Sequence, residues 1–309
     1  MAIEDDATGL RRDTGDAEIE DVVEGRARDL GGFSVRRVLP ARLGAGGARR
    51  VGPFVFFDHF GPVAFAAGEG MDVRPHPHIA LATLTYLFDG EILHRDSLGS
   101  QQVIRPGDVN WMVAGRGIVH SERTPPDVRA RGGKMHGIQT WLALPVADEE
   151  TAPRFEHHAQ ATIPVARRAG AELHVVAGTA YGLTAPTGVV SPTLYVHARL
   201  EAGTTIPVDD QHQERAVYVV EGTVACGARS LAPGMMAWLR PGVPSTVRAV
   251  TPARLLLIGG GALAGERHIY WNFVSSSLER IERAKDDWRQ GRFARVPGDD
   301  VEFIPLPPG

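Results

Sequence analysis

The sequence predicts an all-β protein with two small barrels in tandem and one C-terminal helix. Short β-type segments alternate with Gly and Pro turn signals from Gly32 to about residue 265, and their spacing of about ten residues favours barrels over alternating strands and helices. The 36 glycines and 22 prolines follow no Gly-X-Y period, so frequent turns account for them. Residues 84–90 (LTYLFDG) align with residues 216–222 (AVYVVEG), and residues 105–108 align with residues 232–235. These repeats indicate a duplicated barrel.

Changes in composition along the chain predict five parts. Residues 1–24 carry nine acidic residues and two arginines, so we expect a flexible acidic tail at the start. Residues 147–170 contain two prolines and the pair Arg167-Arg168, a composition typical of a linker. The predicted parts are the tail at 1–29, the first barrel at 30–146, the linker at 147–170, the second barrel at 171–265 and a C-terminal segment at 266–309 with a helix at about 277–290.

The predicted helix is supported by a start signal and by a periodic apolar pattern. Ser276-Ser277-Leu278-Glu279 is a capping-box pattern. Leu278, Ile281, Ala284 and Trp288 follow at helical spacing, with charged residues between them. We expect this apolar stripe to pack on the outer surface of a barrel.

Composition excludes several classes of function. The formal net charge of −4 argues against a nucleic acid partner, because a polyanion binder needs a basic surface. The single cysteine, Cys226, permits neither an internal disulfide nor a cysteine-based zinc cluster, which fits a reducing compartment. The longest apolar run, residues 255–265, is much shorter than the roughly 20 residues that cross a bilayer. The sequence predicts a soluble, cytoplasmic protein without a membrane partner.

Two short motifs in the first barrel predict a metal site. His76-Pro77-His78 and His120-Ser121-Glu122 both place two ligand-type side chains at positions i and i+2, which share one face of a strand. Two such strands side by side would aim four ligands at one point. Imidazole and carboxylate suit a transition metal, and four protein ligands leave coordination positions open for substrate. Either pair alone is weak evidence, because the chain contains 12 histidines, but the two pairs occur together in one barrel.

The second barrel provides an internal comparison. With the repeats aligned, the positions of His76 and His78 correspond to Val208 and Asp210. The position of His120 corresponds to Val247. We therefore expect the second barrel to lack the metal ligands.

The first barrel resembles the pirin family of the cupin superfamily over about residues 30–145. The second barrel and residues 267–273 match the family more loosely. The motifs that carry the resemblance are residues 51–62 (VGPFVFFDHFGP), 76–78 (HPH), 94–97 (HRDS), 106–112 (PGDVNWM), 114–122 (AGRGIVHSE) and 136–141 (HGIQTW).

The resemblance implies a bicupin, that is, two double-stranded β-helix barrels, with one mononuclear metal in the first barrel. The ligands carried over by position are His76, His78, His120 and Glu122. The implied metal is Fe(II), although Ni, Mn, Cu, Co or Zn can bind the same ligand types. Pirin-like proteins are described both as quercetin 2,3-dioxygenases and as iron-dependent regulators that bind other proteins, and the resemblance leaves both open.

The sequence departs from the family at one point near the first motif. Many pirins follow His-Pro-His with Arg-Gly-Phe-Glu, whereas here residues 79–82 are Ile-Ala-Leu-Ala. Ala82 occupies the place where many cupins supply a metal-binding glutamate, so Glu122 is the remaining carboxylate candidate. We expect this part of the site to be less polar than in those relatives.

Our main functional hypothesis is a dioxygenase acting on a flavonol or a similar enol-bearing aromatic compound, with dioxygen as co-substrate. Glu122 would be the catalytic residue that accepts the hydroxyl proton of the substrate. Phe56, Trp111 and Gln139 are candidates for the pocket lining, although aromatic residues of this kind more often belong to a core. His59 would hold the turn at residues 57–62 or orient a metal ligand from behind.

Two alternative functions remain open at this level. The protein could be a metal-sensing regulator whose iron state changes the surface shown to a protein partner. Its metal could also serve the fold alone. A His-Asp-Ser triad at His94, Asp96 and Ser97 is not favoured, because sequence adjacency does not create triad geometry. His157 and His158 are expected to be solvated in the linker.

Overall fold

The computed structural model describes residues 16–29, 33–42 and 48–308. It confirms the predicted architecture of two antiparallel barrels in chain order, followed by a helix near the C-terminus. Each barrel combines a larger sheet with a four-stranded sheet. The strands up to Ala143 are β1 (Ile19–Glu24), β2 (Arg26–Asp29), β3 (Ser34–Leu39), β4 (Ala41–Arg42), β5 (Ala48–Arg49), β6 (Phe54–Phe65), β7 (Asp72–His78), β8 (Leu81–Asp89), β9 (Ile92–Asp96), β10 (Gln101–Ile104), β11 (Val109–Val113), β12 (Ile118–Arg123) and β13 (Gly133–Ala143).

The remaining elements follow the same pattern of short strands. A one-turn helix, α1 (Pro126–Arg131), precedes β13, and 3₁₀ turns occur at Val146–Asp148 and Gln160–Thr162. The later strands and the second helix are β14 (Arg154–His158), β15 (Val165–Arg168), β16 (Ala171–Ala180), β17 (Leu183–Thr184), β18 (Thr193–Leu200), β19 (Thr205–Val208), β20 (Glu214–Glu221), β21 (Val224–Cys226), β22 (Arg229–Leu231), β23 (Met235–Leu239), β24 (Ser245–Ala249), β25 (Ala253–Gly260), β26 (His268–Tyr270), β27 (Phe273–Ser275) and α2 (Leu278–Arg289).

The first barrel places both predicted metal motifs on its smaller sheet. That sheet has the order β10-β9-β12-β7, and the larger sheet has the order β14-β11-β8-β13-β6-β3-β2. One face of the larger sheet points into the barrel, and the other face points toward the second barrel. Both faces are therefore buried.

The second barrel has a filled apolar interior. Its larger sheet has the order β1-β23-β20-β25-β18-β16-β15, and its smaller sheet has the order β19-β24-β21-β22. Val208 and Val247, the counterparts of His76 and His120, are 3% and 0% exposed and belong to this apolar core. Asp210, the counterpart of His78, is exposed. The two valine positions thus belong to the apolar packing of the second barrel.

The two larger sheets pack face to face. Their contact forms one apolar cluster that includes Phe57, Leu84 and Trp111 from the first barrel and Tyr218 and Trp238 from the second. The rings of Phe57 and Tyr218 lie 4.6 Å apart. Burial of this much aromatic surface stabilises the arrangement of the two barrels.

The predictions of a flexible tail at 1–29 and of a linker at 147–170 are wrong in part. Residues 1–15 lie outside the described residues, but Ile19–Glu24 form a strand that pairs with β23 of the second barrel, and Arg26–Asp29 pair with β3 of the first. Ile19 is 0% exposed, so burial of its side chain overrides the acidic character of the segment. Within the predicted linker, β14 pairs with β11 and β15 pairs with β16. Nine of the 24 residues of that segment therefore belong to the two sheets.

The C-terminal helix begins where the sequence predicts. Ser277 caps it by accepting a hydrogen bond from the backbone N–H of Arg280. Ile281 and Ala284 are buried in a cluster with Ile79 and Phe273, whereas Leu278 is 62% exposed and does not belong to the buried stripe. Within the described ranges, no helix is long and apolar enough to span a membrane.

Candidate metal centre

Antiparallel pairing of β7 and β12 brings the two predicted motifs together. His120 lies directly opposite His76, and Ile118 lies opposite His78. His76, His78 and His120 each offer a ring nitrogen, and these three atoms all lie within 4.8 Å of one another. The three side chains are 6%, 1% and 1% exposed. The smaller sheet thus holds a compact, buried group of three imidazoles.

Glu122, the fourth predicted ligand, stands slightly apart from the three histidines. The pairing of β12 with β7 is irregular between His120 and Glu122, so that Glu122 lies opposite Val73. Two residues of β7, Arg74 and Pro75, therefore face a single residue of β12. Proline has no N–H to donate, which accounts for a bulge at this point. Glu122 is 8% exposed and is not a member of the 4.8 Å group.

Two of the imidazoles are oriented by backbone carbonyls. Nδ1 of His76 donates to the carbonyl oxygen of Arg74 at 2.9 Å, and Nδ1 of His78 donates to that of Asn272 at 3.1 Å. Burial lowers the pKa of His76 to about 4 and the pKa of His78 well below its usual value, so both rings are neutral near pH 7. A neutral ring that donates from Nδ1 carries a lone pair at Nε2. Both Nε2 atoms are therefore available as metal ligands.

The donor set fits a transition metal. Nε2 of His78 and Nε2 of His120 lie 3.1 Å apart, and the His76 and His120 rings are 4.4 Å apart. Lone pairs on such close nitrogens repel each other unless a proton or a cation lies between them. Three imidazole nitrogens with a carboxylate nearby are ligands that iron, nickel, cobalt, copper and zinc all accept. The residues of this site could hold one such ion.

A second histidine layer lies behind His120. Nδ1 of His94 is 3.5 Å from Nδ1 of His120, and Nε2 of His94 is 3.1 Å from a carboxylate oxygen of Asp96. Burial raises the pKa of Asp96, but hydrogen bonds from His94 and Ser100 outweigh it and lower the pKa below its usual value. The Ser97 hydroxyl accepts from the backbone N–H of Val119 at 3.1 Å instead of completing a triad.

A cavity of about 530 Å³ lies beside the imidazole group and is lined by His76 and His78. Phe56 and Gln139, two of the predicted lining residues, line it, together with Trp141, Thr85 and Glu122. The rings of Phe56 and Trp141 are stacked with centroids 3.9 Å apart, and Trp141 contacts the His78 ring edge-on at 5.1 Å. The cavity therefore has a flat aromatic wall that ends at a candidate metal ligand.

A polar row crosses the larger sheet beside the aromatic wall. Arg37, Asp58, Gln139 and Thr85 lie opposite one another on β3, β6, β13 and β8. Arg37 forms a bidentate ion pair with Asp58, with N···O distances of 2.9 and 2.8 Å. Its guanidinium also lies 4.6 Å above the Phe56 ring. The row fixes the polar edge of the cavity.

Thr85 connects this row to Glu122. Its hydroxyl lies 2.7 Å from Oε1 of Gln139 and 3.2 Å from Oε1 of Glu122, and it has one proton to donate. Burial raises the pKa of Glu122, while His94 and the Thr85 hydrogen bond act in the opposite direction. A buried carboxylate with a raised pKa is suited to accept a proton from a ligand in the cavity.

Trp111 does not line the cavity as predicted. Side chains alternate along a strand, and Trp111 is the neighbour of Asn110, which lies opposite Thr85. Trp111 therefore faces the second barrel, where it is 1% exposed within the apolar cluster between the sheets. Ala82 faces the same way and is 0% exposed. A side chain at position 82 consequently points away from the imidazole group, so the departure there does not remove a ligand.

His59 does not stand behind a metal ligand. It follows Asp58 on β6 and points to the opposite face, between the barrels. Its Nδ1 lies 2.8 Å from the hydroxyl of Tyr218, and its Nε2 lies 2.7 Å from Nε2 of His136. His157, expected to be solvated, is half-buried and lies 2.7 Å from Oδ1 of Asn110.

Sequence reasoning did not assign His94, Asp96 and Asn272 a role beside the candidate metal ligands. His94 and Asp96 have the same i, i+2 spacing as the ligand pairs, and that spacing could have indicated them. Asn272 contributes a backbone carbonyl, for which the sequence carries no signal.

Comparison with known proteins adds to this geometry. The pirin family model matches residues 32–142, and the model of the pirin C-terminal cupin domain matches residues 195–294. A pirin-like protein of Caulobacter vibrioides is 48% identical over 292 residues, covering 94% of this chain and 99% of that protein. A crystal structure described as quercetin 2,3-dioxygenase from Acinetobacter baumannii has a TM-score of 0.85 and 32% identity, covering 94% of this chain and 95% of that one.

A more distant structure supports the fold. The bacterial pirin YhhW of Escherichia coli, solved in complex with nickel(II), has a TM-score of 0.59 at 19% identity, covering 78% of this chain and 96% of that one.

Proposed function

The chain belongs to the pirin family, and we propose that it is a metal-dependent dioxygenase whose metal is held by His76, His78, His120 and Glu122. The proposed metal is Fe(II), and the proposed substrate is a flavonol such as quercetin or a similar enol-bearing aromatic compound. The observation that carries this proposal is a tight group of three buried imidazoles, two of which, His76 and His78, line a cavity with an aromatic wall.

The proposed metal site rests on the donor set. Three neutral imidazoles hold a divalent ion without neutralising its charge, and Glu122 would supply one negative charge. When bound, the ion would supply redox and Lewis-acid chemistry for the reaction of the substrate with dioxygen. The nickel(II) complex of the Escherichia coli relative supports a divalent metal as the occupant in this family.

The proposed substrate class rests on the shape of the cavity. A volume of about 530 Å³ is in the range of cavities that bind small organic molecules. The stacked rings of Phe56 and Trp141 offer an apolar aromatic surface to an aromatic compound. The similarity to a quercetin 2,3-dioxygenase at 32% identity favours a flavonol within this class.

Glu122 is the proposed general base. It lies in the cavity and is hydrogen-bonded to Thr85, so its carboxylate is held toward the space that a substrate would fill. An enol hydroxyl placed within hydrogen-bond distance of Glu122 would transfer its proton to the carboxylate. The hydroxyl of Thr85 would then be free to bond to Gln139.

The function is tested by measuring oxygen consumption. The protein is loaded anaerobically with Fe(II), and quercetin is added in an oxygen electrode alongside His120→Ala and His174→Ala variants. His174 is a half-buried histidine of the second barrel and serves as the matched control. We expect oxygen uptake by the wild type and by His174→Ala and its loss in His120→Ala. A metal-loaded wild type that is inert toward quercetin and other enols would contradict the proposal.

A further inference from the structure

Asp96 is locked by its surroundings. It is 0% exposed, and its Oδ1 accepts hydrogen bonds from the backbone N–H groups of Leu98 at 2.9 Å and Ser100 at 3.0 Å. Its Oδ2 lies 3.1 Å from Nε2 of His94. Because Oδ1 already receives two backbone N–H donors, this carboxylate acts as a hydrogen-bond acceptor, and its Oδ2 faces His94 in that role.

The proton positions follow in order from Asp96. In its neutral form the imidazole of His94 has one N–H, and the carboxylate of Asp96 at 3.1 Å places that proton on Nε2. Nδ1 of His94 is then an acceptor, and the atom that faces it at 3.5 Å is Nδ1 of His120. His120 must therefore donate from Nδ1, which leaves the lone pair of His120 at Nε2, on the side of His78.

The ring of His94 is held in the plane that this arrangement needs. It is stacked on the ring of Phe155, with centroids 4.3 Å apart and planes 10° apart. His94 also lies opposite Glu122, and Asp96 lies opposite His120, in the pairing of β9 with β12. The sheet register and the stacking together fix the positions of both side chains.

His120 differs in this respect from the other two histidines. The Nδ1 atoms of His76 and His78 donate to carbonyl groups of the main chain, at Arg74 and Asn272. The orientation of His120 depends on two side chains instead. A change in either side chain is therefore expected to act chiefly on His120, and a change at His94 also acts on Glu122, which lies opposite it.

We propose that His94 and Asp96 are positioning residues that select the Nδ1–H tautomer of His120 and so keep its Nε2 lone pair available to the metal. This inference rests on the proposed metal site. The same kind of hydrogen bond behind a ligating histidine typically changes metal affinity by about 10–100-fold when it is lost.

Asp96→Asn is the sharpest variant because it keeps the shape of the side chain. Its amide oxygen can still accept from Leu98 and Ser100, and its NH₂ group then faces His94. His94 must shift its proton to Nδ1 to accept this bond, which places two N–H groups face to face at His120. His120 is then driven toward the Nε2–H tautomer, which has no lone pair at Nε2 for the metal.

His94→Phe is the second variant. It preserves an aromatic ring stacked on Phe155 but removes the acceptor for His120. Asp108→Asn is the matched control, because Asp108 is also buried in the first barrel and also accepts backbone N–H groups, those of Arg105 and Gln160. In the part of the chain that the structure describes, no hydrogen bond links Asp108 to His76, His78 or His120. Asp108→Asn should therefore lower only the stability of the turn.

Co²⁺ is added to the purified metal-free proteins with no other metal present. Its affinity is measured by titration, and the visible absorption spectrum of the bound ion is recorded. We expect Asp96→Asn and His94→Phe to bind Co²⁺ about 10–100-fold more weakly than wild type, with an altered spectrum because one nitrogen ligand is weakened. We expect Asp108→Asn to bind as the wild type does. Urea unfolding of all the metal-free variants separates affinity from stability.

The outcomes distinguish this inference from the proposed function. If both variants bind Co²⁺ with the affinity and spectrum of the wild type while His120→Ala does not bind it, the positioning role is overturned and the metal site stands. If His120→Ala binds as tightly as the wild type, the metal site itself is wrong. If Asp108→Asn loses affinity as strongly as Asp96→Asn, the effect is one of general stability and the inference is overturned.

Discussion

The Nδ1–H of His78 donates to the backbone carbonyl of Asn272, 194 residues further along the chain, at 3.1 Å. Asn272 lies in the turn between β26 and β27, after the second barrel is complete. Helix α2 packs against this hairpin through Ile281 and Phe273. The segment after the second barrel therefore helps to build the candidate metal site of the first barrel.

Ile281→Ala is expected to weaken both the fold and metal binding. Removal of a buried aliphatic side chain costs about 2–5 kcal/mol of unfolding free energy, and loosening of the hairpin would release the carbonyl that orients His78. Leu278→Ala, at a position 62% exposed on the same helix, should change stability by less than about 0.5 kcal/mol. Urea unfolding and a metal titration check both variants. Equal effects of the two substitutions would contradict this assignment of the helix faces.

Glu122→Gln is expected to lower the turnover rate much more than it lowers the affinity for metal. The three imidazoles remain, so the protein should still bind metal, although more weakly. Loss of a general base lowers the rate by about 10²–10⁴-fold. Metal content and oxygen uptake with quercetin are measured for this variant and for Glu172→Gln, which changes a half-exposed carboxylate of the second barrel. Undiminished oxygen uptake by Glu122→Gln would exclude Glu122 as the base.

Phe56→Ala and Trp111→Phe separate the cavity wall from the core. Phe56→Ala removes one of two stacked rings in the cavity, and loss of a stacking partner worth about 0.5–1.5 kcal/mol should raise the KM for an aromatic enol about 2–10-fold. Trp111→Phe should lower the unfolding free energy and leave KM unchanged, because Trp111 lies between the barrels. Steady-state kinetics and thermal unfolding provide the two measurements. An unchanged KM for Phe56→Ala together with a raised KM for Trp111→Phe would indicate that Trp111, and not Phe56, lines the cavity.

Stability is expected to fall in acid partly through His59. Burial, with smaller effects from His136, Arg36 and Arg254, lowers the pKa of His59 from 6.5 to about 3 in the folded protein. Between these values the unfolded chain binds a proton that the folded chain does not, so the unfolding free energy decreases as the pH falls through this window. The slope is about 1.4 kcal/mol per pH unit for each such proton.

His59→Gln removes this titrating group while retaining an amide that can bond to Tyr218. Urea unfolding of the metal-free protein between pH 7 and pH 4 should show a shallower pH dependence for the variant than for the wild type. Other buried histidines, including His136 and His197, still titrate in both proteins, so the difference between the two curves is the quantity of interest. Parallel curves would show that folding leaves the pKa of His59 unshifted and would contradict this prediction.

Local patterns in the sequence predict the strands, the duplication and the three imidazoles. Residues at i and i+2 on a strand share a face whatever the tertiary structure, so His76 and His78 could be paired without coordinates. The position of Glu122 could not be predicted, because the bulge beside it depends on how two distant strands pair.

The direction of side chains on the larger sheet was harder to predict. Both faces of that sheet are buried, one in the barrel and one against the second barrel, so polar and apolar residues do not alternate as they do on a sheet with a solvated face. Trp111, Ala82 and His59 were assigned to the wrong face for this reason. The strand at Ile19–Glu24 was missed because the charge of the segment obscured its buried positions.

The edge-on contact of Trp141 with the His78 ring, at 5.1 Å, gives the site an optical signal of its own. An indole this close to a bound paramagnetic ion loses part of its emission, so intrinsic fluorescence should dim as Ni²⁺ or Co²⁺ enters. Trp271 also lines the cavity, and the other three of the five tryptophans give a steadier background. Occupancy of the site can therefore be followed by light alone, before any substrate has been identified.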